Sequence, residues 1–161
     1  MIEVKNVHKS FGEKKVLNDV NFVMKAGNTN LIIGTSGSGK TVLMKCMIGL
    51  FVPEEGQILY EGRDLVKIDD KEKKELRQQI GMLFQGSALF DSKTVQDNVM
   101  FPLDMFTTQR YRDKIKRVNE VLDKVNLVDA NKKFPAEISG GMKKRVALAR
   151  ALVLNPKYLF C

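Results

Sequence analysis

The eight residues GTSGSGKT, from Gly34 to Thr41, constrain this chain more than any other stretch. They fit the pattern G-x-x-x-x-G-K-[ST] at every fixed position, through Gly34, Thr35, Ser36, Gly37, Ser38, Gly39, Lys40 and Thr41. The glycines let backbone N–H groups converge on phosphate oxygens without interference from a Cβ. A helix that starts here points the positive end of its dipole at the same anion. Lys40 reaches toward β- and γ-phosphates, and Thr41 offers a hydroxyl to Mg²⁺. The context agrees. The preceding NTNLIIG reads as a short buried strand ending in glycine. The following helix carries Leu43, Met47, Leu50 and Phe51 on one face and is closed by Pro53 and Gly56. The loop implies binding of a nucleoside triphosphate but names no reaction. A glycine-rich turn with a chance lysine is the plain alternative.

The chain has 161 residues, enough for one domain with a core. Hydrophobic residues make up 43% and charged residues 29%, ordinary for a globular protein, and no apolar run is long enough to span a bilayer. The start, MIEVKNVHKSFG, is no secretion signal, because charge enters at its third residue. Cys46 and Cys161 lie far apart and make no disulfide framework, which suits a reducing cytoplasm. The net charge of +8 gathers at Arg110–Arg117, Lys132–Lys133 and Lys143–Arg150. Solvated helix faces account for such clusters, as would nucleic acid, acidic lipid or a polyanionic ligand. Aromatics are only 7% and do not interleave with the basic residues, so a nucleic-acid partner is not indicated.

Val20, Phe22 and Met24 alternate with Asn21 and Val23, and the first stretch reads as a β-meander that turns at Ala26-Gly27. QILYEGRDL reads as strand, turn, strand, KIDDKEKKELRQQ as a charged exposed helix and IGMLFQ as a buried strand. Thr94 and Asp97 form a capping box opening a short helix. A longer helix over about 108–126 carries Ile115, Val118, Leu122 and Val125 on its apolar face. Another begins at Ser139, runs to about Leu154 and stops at Asn155-Pro156 before the strand-like YLF. This order argues for an α/β protein with a parallel sheet. His8, the single histidine, reads as structural, and Cys46 as packing.

The stretch EISGGMKKRVALARAL adds a second anion site. Ser139 stands at an N-cap position, and Gly140 and Gly141 leave the first helical N–H groups uncovered. One chain with two such helix ends holds two anions, or two chains complete each other's sites.

With these residues the sequence resembles the ATP-binding cassette ATPases, in which the phosphate loop of one subunit and the signature helix of its partner sandwich one ATP. ISGGM is similar to the signature at Ser139, Gly140 and Gly141, with Ile138 in place of leucine and Met142 in place of glutamine. Phe11, in KSFG, matches the aromatic residue that stacks on adenine. Gln85 matches the glutamine that senses Mg²⁺ and the attacking water and touches the membrane partner. The resemblance implies a P-loop NTPase fold: a parallel core sheet, an N-terminal antiparallel β subdomain and a helical subdomain. The implied division is 1–84 for the β subdomain and phosphate-loop core, 85–138 for the glutamine loop and helical subdomain, and 139–161 for the signature helix and the following strand.

The implied ligands are ATP and Mg²⁺, with Lys40 and Gln85 catalytic and Thr41 and Gln85 at the metal. The implied partners are a second ATPase subunit in a homodimer, an integral membrane permease and a substrate-binding component, at the inner face of the cell membrane. QGSALFDSKTVQDNVMFPL, residues 85–103, together with ISGGM, resembles the ATPases of bacterial Mce-type phospholipid transporters. Leu89, Phe90 and Phe101 become socket candidates for a permease helix, with internal packing as the alternative. An importer ATPase for a small solute is the other transport reading. Cassettes of DNA repair or translation form a further class, and a kinase or GTPase leaves Ser139–Gly141 unexplained. In the resembling family a run like YLF leads into two carboxylates and later a histidine, none of which is among these residues. The expectation is an N-terminal part of a longer ATPase, poorly soluble and hydrolytically inactive when expressed alone.

Overall fold

The computed structural model describes every residue of the chain except Gln85. The chain divides into two compact units, Met1–Lys74 and Glu75–Cys161, each taken by itself below.

In the first unit, β1 (Ile2–Phe11), β2 (Lys14–Met24), β3 (Glu55–Tyr60) and β4 (Arg63–Asp64) form an antiparallel sheet in the order β2-β1-β3-β4. Strand periodicity buries Ile2 and Val4, and then Val7 instead of the residue two further on from Val4. The register shifts there because Asn6 takes a left-handed φ of 48°. Asn6 Nδ2 donates to Asp19 Oδ1 at 2.8 Å, and its backbone N–H donates to Asn21 Oδ1 at 2.8 Å. Gly56, at φ +92°, faces this bulge; a Cβ there would lie 2.3 Å from the Asn6 carbonyl oxygen, so only glycine fits. The alternation of Val20, Phe22 and Met24 with Asn21 and Val23 appears as half-buried against exposed positions in β2.

Helix α1 (Lys40–Met47) lies between β2 and β3 in the chain, and Tyr60 Oη donates to the Met47 carbonyl at 2.7 Å, tying helix to sheet. Leu43 and Met47 are buried as their spacing requires, but Leu50 is 56% exposed. Gly49, at φ 73°, ends the helix before Pro53 is reached, and the N–H groups of Leu50 and Phe51 both return to the Lys45 carbonyl. The run NTNLIIG forms no strand: Leu31 and Ile33 are 80% and 83% exposed. An apolar run becomes a buried strand only where a neighbour accepts its N–H and C=O groups, and no described strand pairs with it.

Helix α2 (Asp70–Gln78) crosses the division between the units. The second unit then contains β5 (Ile80–Met82), α3 (Val95–Phe106), α4 (Tyr111–Lys124), a 3₁₀ turn at Pro135–Glu137, α5 (Gly140–Leu152) and β6 (Tyr158–Phe160). β5 and β6 are parallel, pairing Ile80 with Tyr158 and Met82 with Phe160, so the expected parallel sheet is represented by these two strands. Its core joins Val95, Val99 and Leu103 of α3, Val118 and Leu122 of α4, and Val146 and Ala149 of α5. The apolar face read for α4 is buried in this way, with Ile115 packing at its margin. The Thr94 cap is formed: its Oγ1 accepts from Asp97 N at 3.1 Å and donates to Asp97 Oδ2 at 2.6 Å. Among the described residues no helix is long and apolar enough to cross a membrane.

Candidate functional site

The phosphate-loop residues fold as a turn leading into α1. Ser38 N donates to Thr35 O at 3.2 Å, and Leu43 N donates to Gly39 O at 2.8 Å. Gly37 and Gly39 take φ of 80° and 94°, a backbone that lets successive N–H groups point to one side. Gly39 is the N-cap and has no side chain to cap the helix, which leaves the first N–H groups of α1 for an anion. A Cβ on Gly39 would lie 3.0 Å from Val16 O, so the loop seats directly on β2. Nothing lies within 4 Å of where a Cβ on Gly37 would be.

Lys40 Nζ donates to Gly34 O at 2.6 Å and to Thr35 O at 2.8 Å. The ammonium is thus held at the mouth of its own loop. These features fit a polyphosphate: an uncapped helix end, a convergent glycine backbone and one cation. Thr41 is exposed on the first turn, where its hydroxyl suits a hard cation beside phosphate.

Phe11 stands at the end of β1 and is 46% exposed. Its ring meets the Phe51 edge with centroids 5.4 Å apart, and Lys9 Nζ lies 5.3 Å from its centre. Glu54 supports this end of the strand; one oxygen accepts from Ser10 N at 2.7 Å and the other pairs with Lys9. The Lys9 ammonium accordingly holds the Glu54 carboxyl below its usual range. Sequence reading missed Glu54, which carries no motif. His8 Nδ1 accepts weakly from Asp19 N, at 3.4 Å, in keeping with a structural role. Cys46 is buried in α1, which raises its thiol pKa.

In the second unit, Ser139 caps α5 as read: its Oγ accepts from Met142 N at 3.2 Å. Gly140 and Gly141 are exposed on the first turn, with open space beside Gly140 and only Ser139 Oγ, at 4.0 Å, near where a Cβ on Gly141 would be, and no acidic residue occupies that turn. Ser139→Ala is expected to cost about 1 kcal/mol of helix stability through the lost cap, read as a lower urea midpoint. Of the socket candidates, Leu89 packs against the core. Phe90 is 39% exposed and lies 4.8 Å from Phe101 between ring centroids. The role assigned to Gln85 lies outside the described residues.

The region from 17 to 161 matches the family model described as "ABC transporter". A probable ribonucleotide transport ATP-binding protein of Mycobacterium leprae is 46% identical over 160 residues, 99% of this chain and 46% of that protein. A methionine import ATP-binding protein of Clostridium acetobutylicum is 43% identical over 161 residues, 100% of this chain and 50% of that one. A dimeric ATP-binding cassette solved in a post-hydrolysis state with ADP and Pi superposes with a TM-score of 0.88 at 33% identity, covering 99% of this chain and 72% of that one. The chain spans about half the length of the curated relatives it matches.

Proposed function

The chain belongs to the ABC transporter family, in the part that binds ATP, and from that premise we propose that it powers solute transport through a membrane permease. The observation that carries this reading is the uncapped, glycine-seated start of α1 with Lys40 at its mouth. In this reading Lys40 exchanges its two loop carbonyls for β- and γ-phosphate oxygens, and the N–H groups of the loop bind the rest. Mg²⁺, when bound, neutralises charge developing between these phosphates. Thr41 and Gln85 would hold it, and Gln85 would also orient the attacking water. Phe11 stacks on the base. Ser139, Gly140 and Gly141 serve the γ-phosphate of a second copy in an isologous dimer, so both sites form together. A membrane permease and a substrate-binding component complete the assembly at the inner membrane face.

The relatives' names, ribonucleotide transport and methionine import, support a small solute as cargo. The phospholipid reading rests on residues 85–103 and ISGGM alone and stands second. Deleting the gene and measuring both methionine and nucleotide uptake and surface lipid composition separates them. Lost uptake with a normal envelope is expected. An altered envelope with normal uptake favours the lipid reading, and a normal result in both overturns transport.

A further inference from the structure

Residues 86–90, between β5 and α3, are strained and held from two sides. Gly86, Ser87 and Ala88 take successive φ values of 87°, 68° and 45°. Two of these are L-residues with side chains, and such backbone persists only where the surroundings impose it. Asn98 of α3 holds one end of the loop, accepting from Phe90 N at 2.8 Å and donating to Phe90 O at 3.1 Å. Arg150 of α5 holds the other: its Nη2 donates to Ser87 O at 2.9 Å, and its guanidinium lies 5.8 Å from the Phe90 ring centre. Ser87 itself is buried. Arg150 is half-buried, and desolvation lowers its pKa, so its charge is kept at a cost for which surface solvation offers no reason.

The geometry points to Arg150 as a positioning residue that latches the signature helix to the loop following Gln85. The inference rests on the ATPase reading above. Ser139–Gly141 and Arg150 share one rigid helix and lie about 15 Å apart along it. A nucleotide that pulls on the N-terminus of α5 therefore pulls on Ser87, two residues beyond Gln85. The latch acts on the step that needs this glutamine placed, and not on the binding of ATP at the phosphate loop.

The test uses the whole protein and steady-state ATP hydrolysis. Arg150→Met keeps the apolar stem and removes the donor. Its kcat is expected to fall roughly tenfold, the scale of one charge-assisted hydrogen bond, with KM for ATP within about twofold of the parent. Arg150→Lys, which keeps charge but loses the planar fork, falls between the two. A residue that only supports the fold would instead lower the melting temperature and leave kcat per folded molecule unchanged, and that result overturns the latch. Should Arg150→Met not fold, Arg150→Lys carries the test, and a parental kcat there overturns it. Lys40→Ala, assayed alongside, separates the two levels. Turnover that survives it overturns the ATPase reading and the latch with it. Turnover lost with Lys40→Ala but indifferent to Arg150→Met overturns the latch alone.

Discussion

Lys40→Ala is expected to weaken ATP binding roughly 10- to 150-fold and to remove turnover. The magnitude follows from losing a charge-assisted phosphate contact worth about 1.5–3 kcal/mol. Turnover suffers more than binding, because phosphoryl transfer depends on neutralising charge that grows along the reaction coordinate. The ammonium now sits 2.6 and 2.8 Å from the Gly34 and Thr35 carbonyls, so the cation is already at the site. Alanine also frees those two carbonyls to water, at little cost to the fold, because the loop is exposed. Titration of fluorescent ATP into the whole protein, with the far-ultraviolet circular dichroism of both forms as a control, checks this. Equal affinity and equal turnover in the two would remove the basis for the site.

Asn98→Leu is expected to cost about 3–4 kcal/mol of stability. Asn98 is completely buried; its Oδ1 accepts from Phe90 N, and the two hydrogens of its Nδ2 are shared among the carbonyls of Phe90, Lys93 and Thr94. Leucine of similar size fills the space but satisfies none of them. The Phe90 and Thr94 carbonyls keep backbone donors, Lys93 N and Asn98 N, so Phe90 N and Lys93 O are the groups that lose their partner, at about 1–3 kcal/mol each, part of which a shift of the loop toward water recovers. Against the 5–15 kcal/mol typical of a domain this loss is large. Urea unfolding of the whole protein followed by circular dichroism measures it. A change below about 1 kcal/mol would mean that the loop finds other partners without help.

The parts of this protein legible in its sequence are those decided by neighbours along the chain. GTSGSGKT is readable because glycine dihedrals, a helix start and one lysine are set within eight residues. The caps at Thr94 and Ser139 are readable because each side chain meets an N–H three residues on. The buried face of α4 follows from helical spacing alone. The end of α1 was also written locally, in Gly49, but the apolar spacing of Leu50 and Phe51 masked it.

Other features required the chain to be folded. Whether NTNLIIG becomes a strand depends on a partner ladder, which no property of those seven residues supplies. Glu54 reaches Ser10 across 44 positions of sequence, and Arg150 reaches Ser87 across 63. A single arginine in ALARAL reads as one more basic residue of a helix face. Only the packing of α5 beside the loop, and the loss of water that goes with it, turns that charge into a hydrogen bond with direction. Periodicity and motif act over a few residues and survive in the sequence. Pairing, burial and desolvation are properties of distant segments brought together, and the tertiary structure alone decides them.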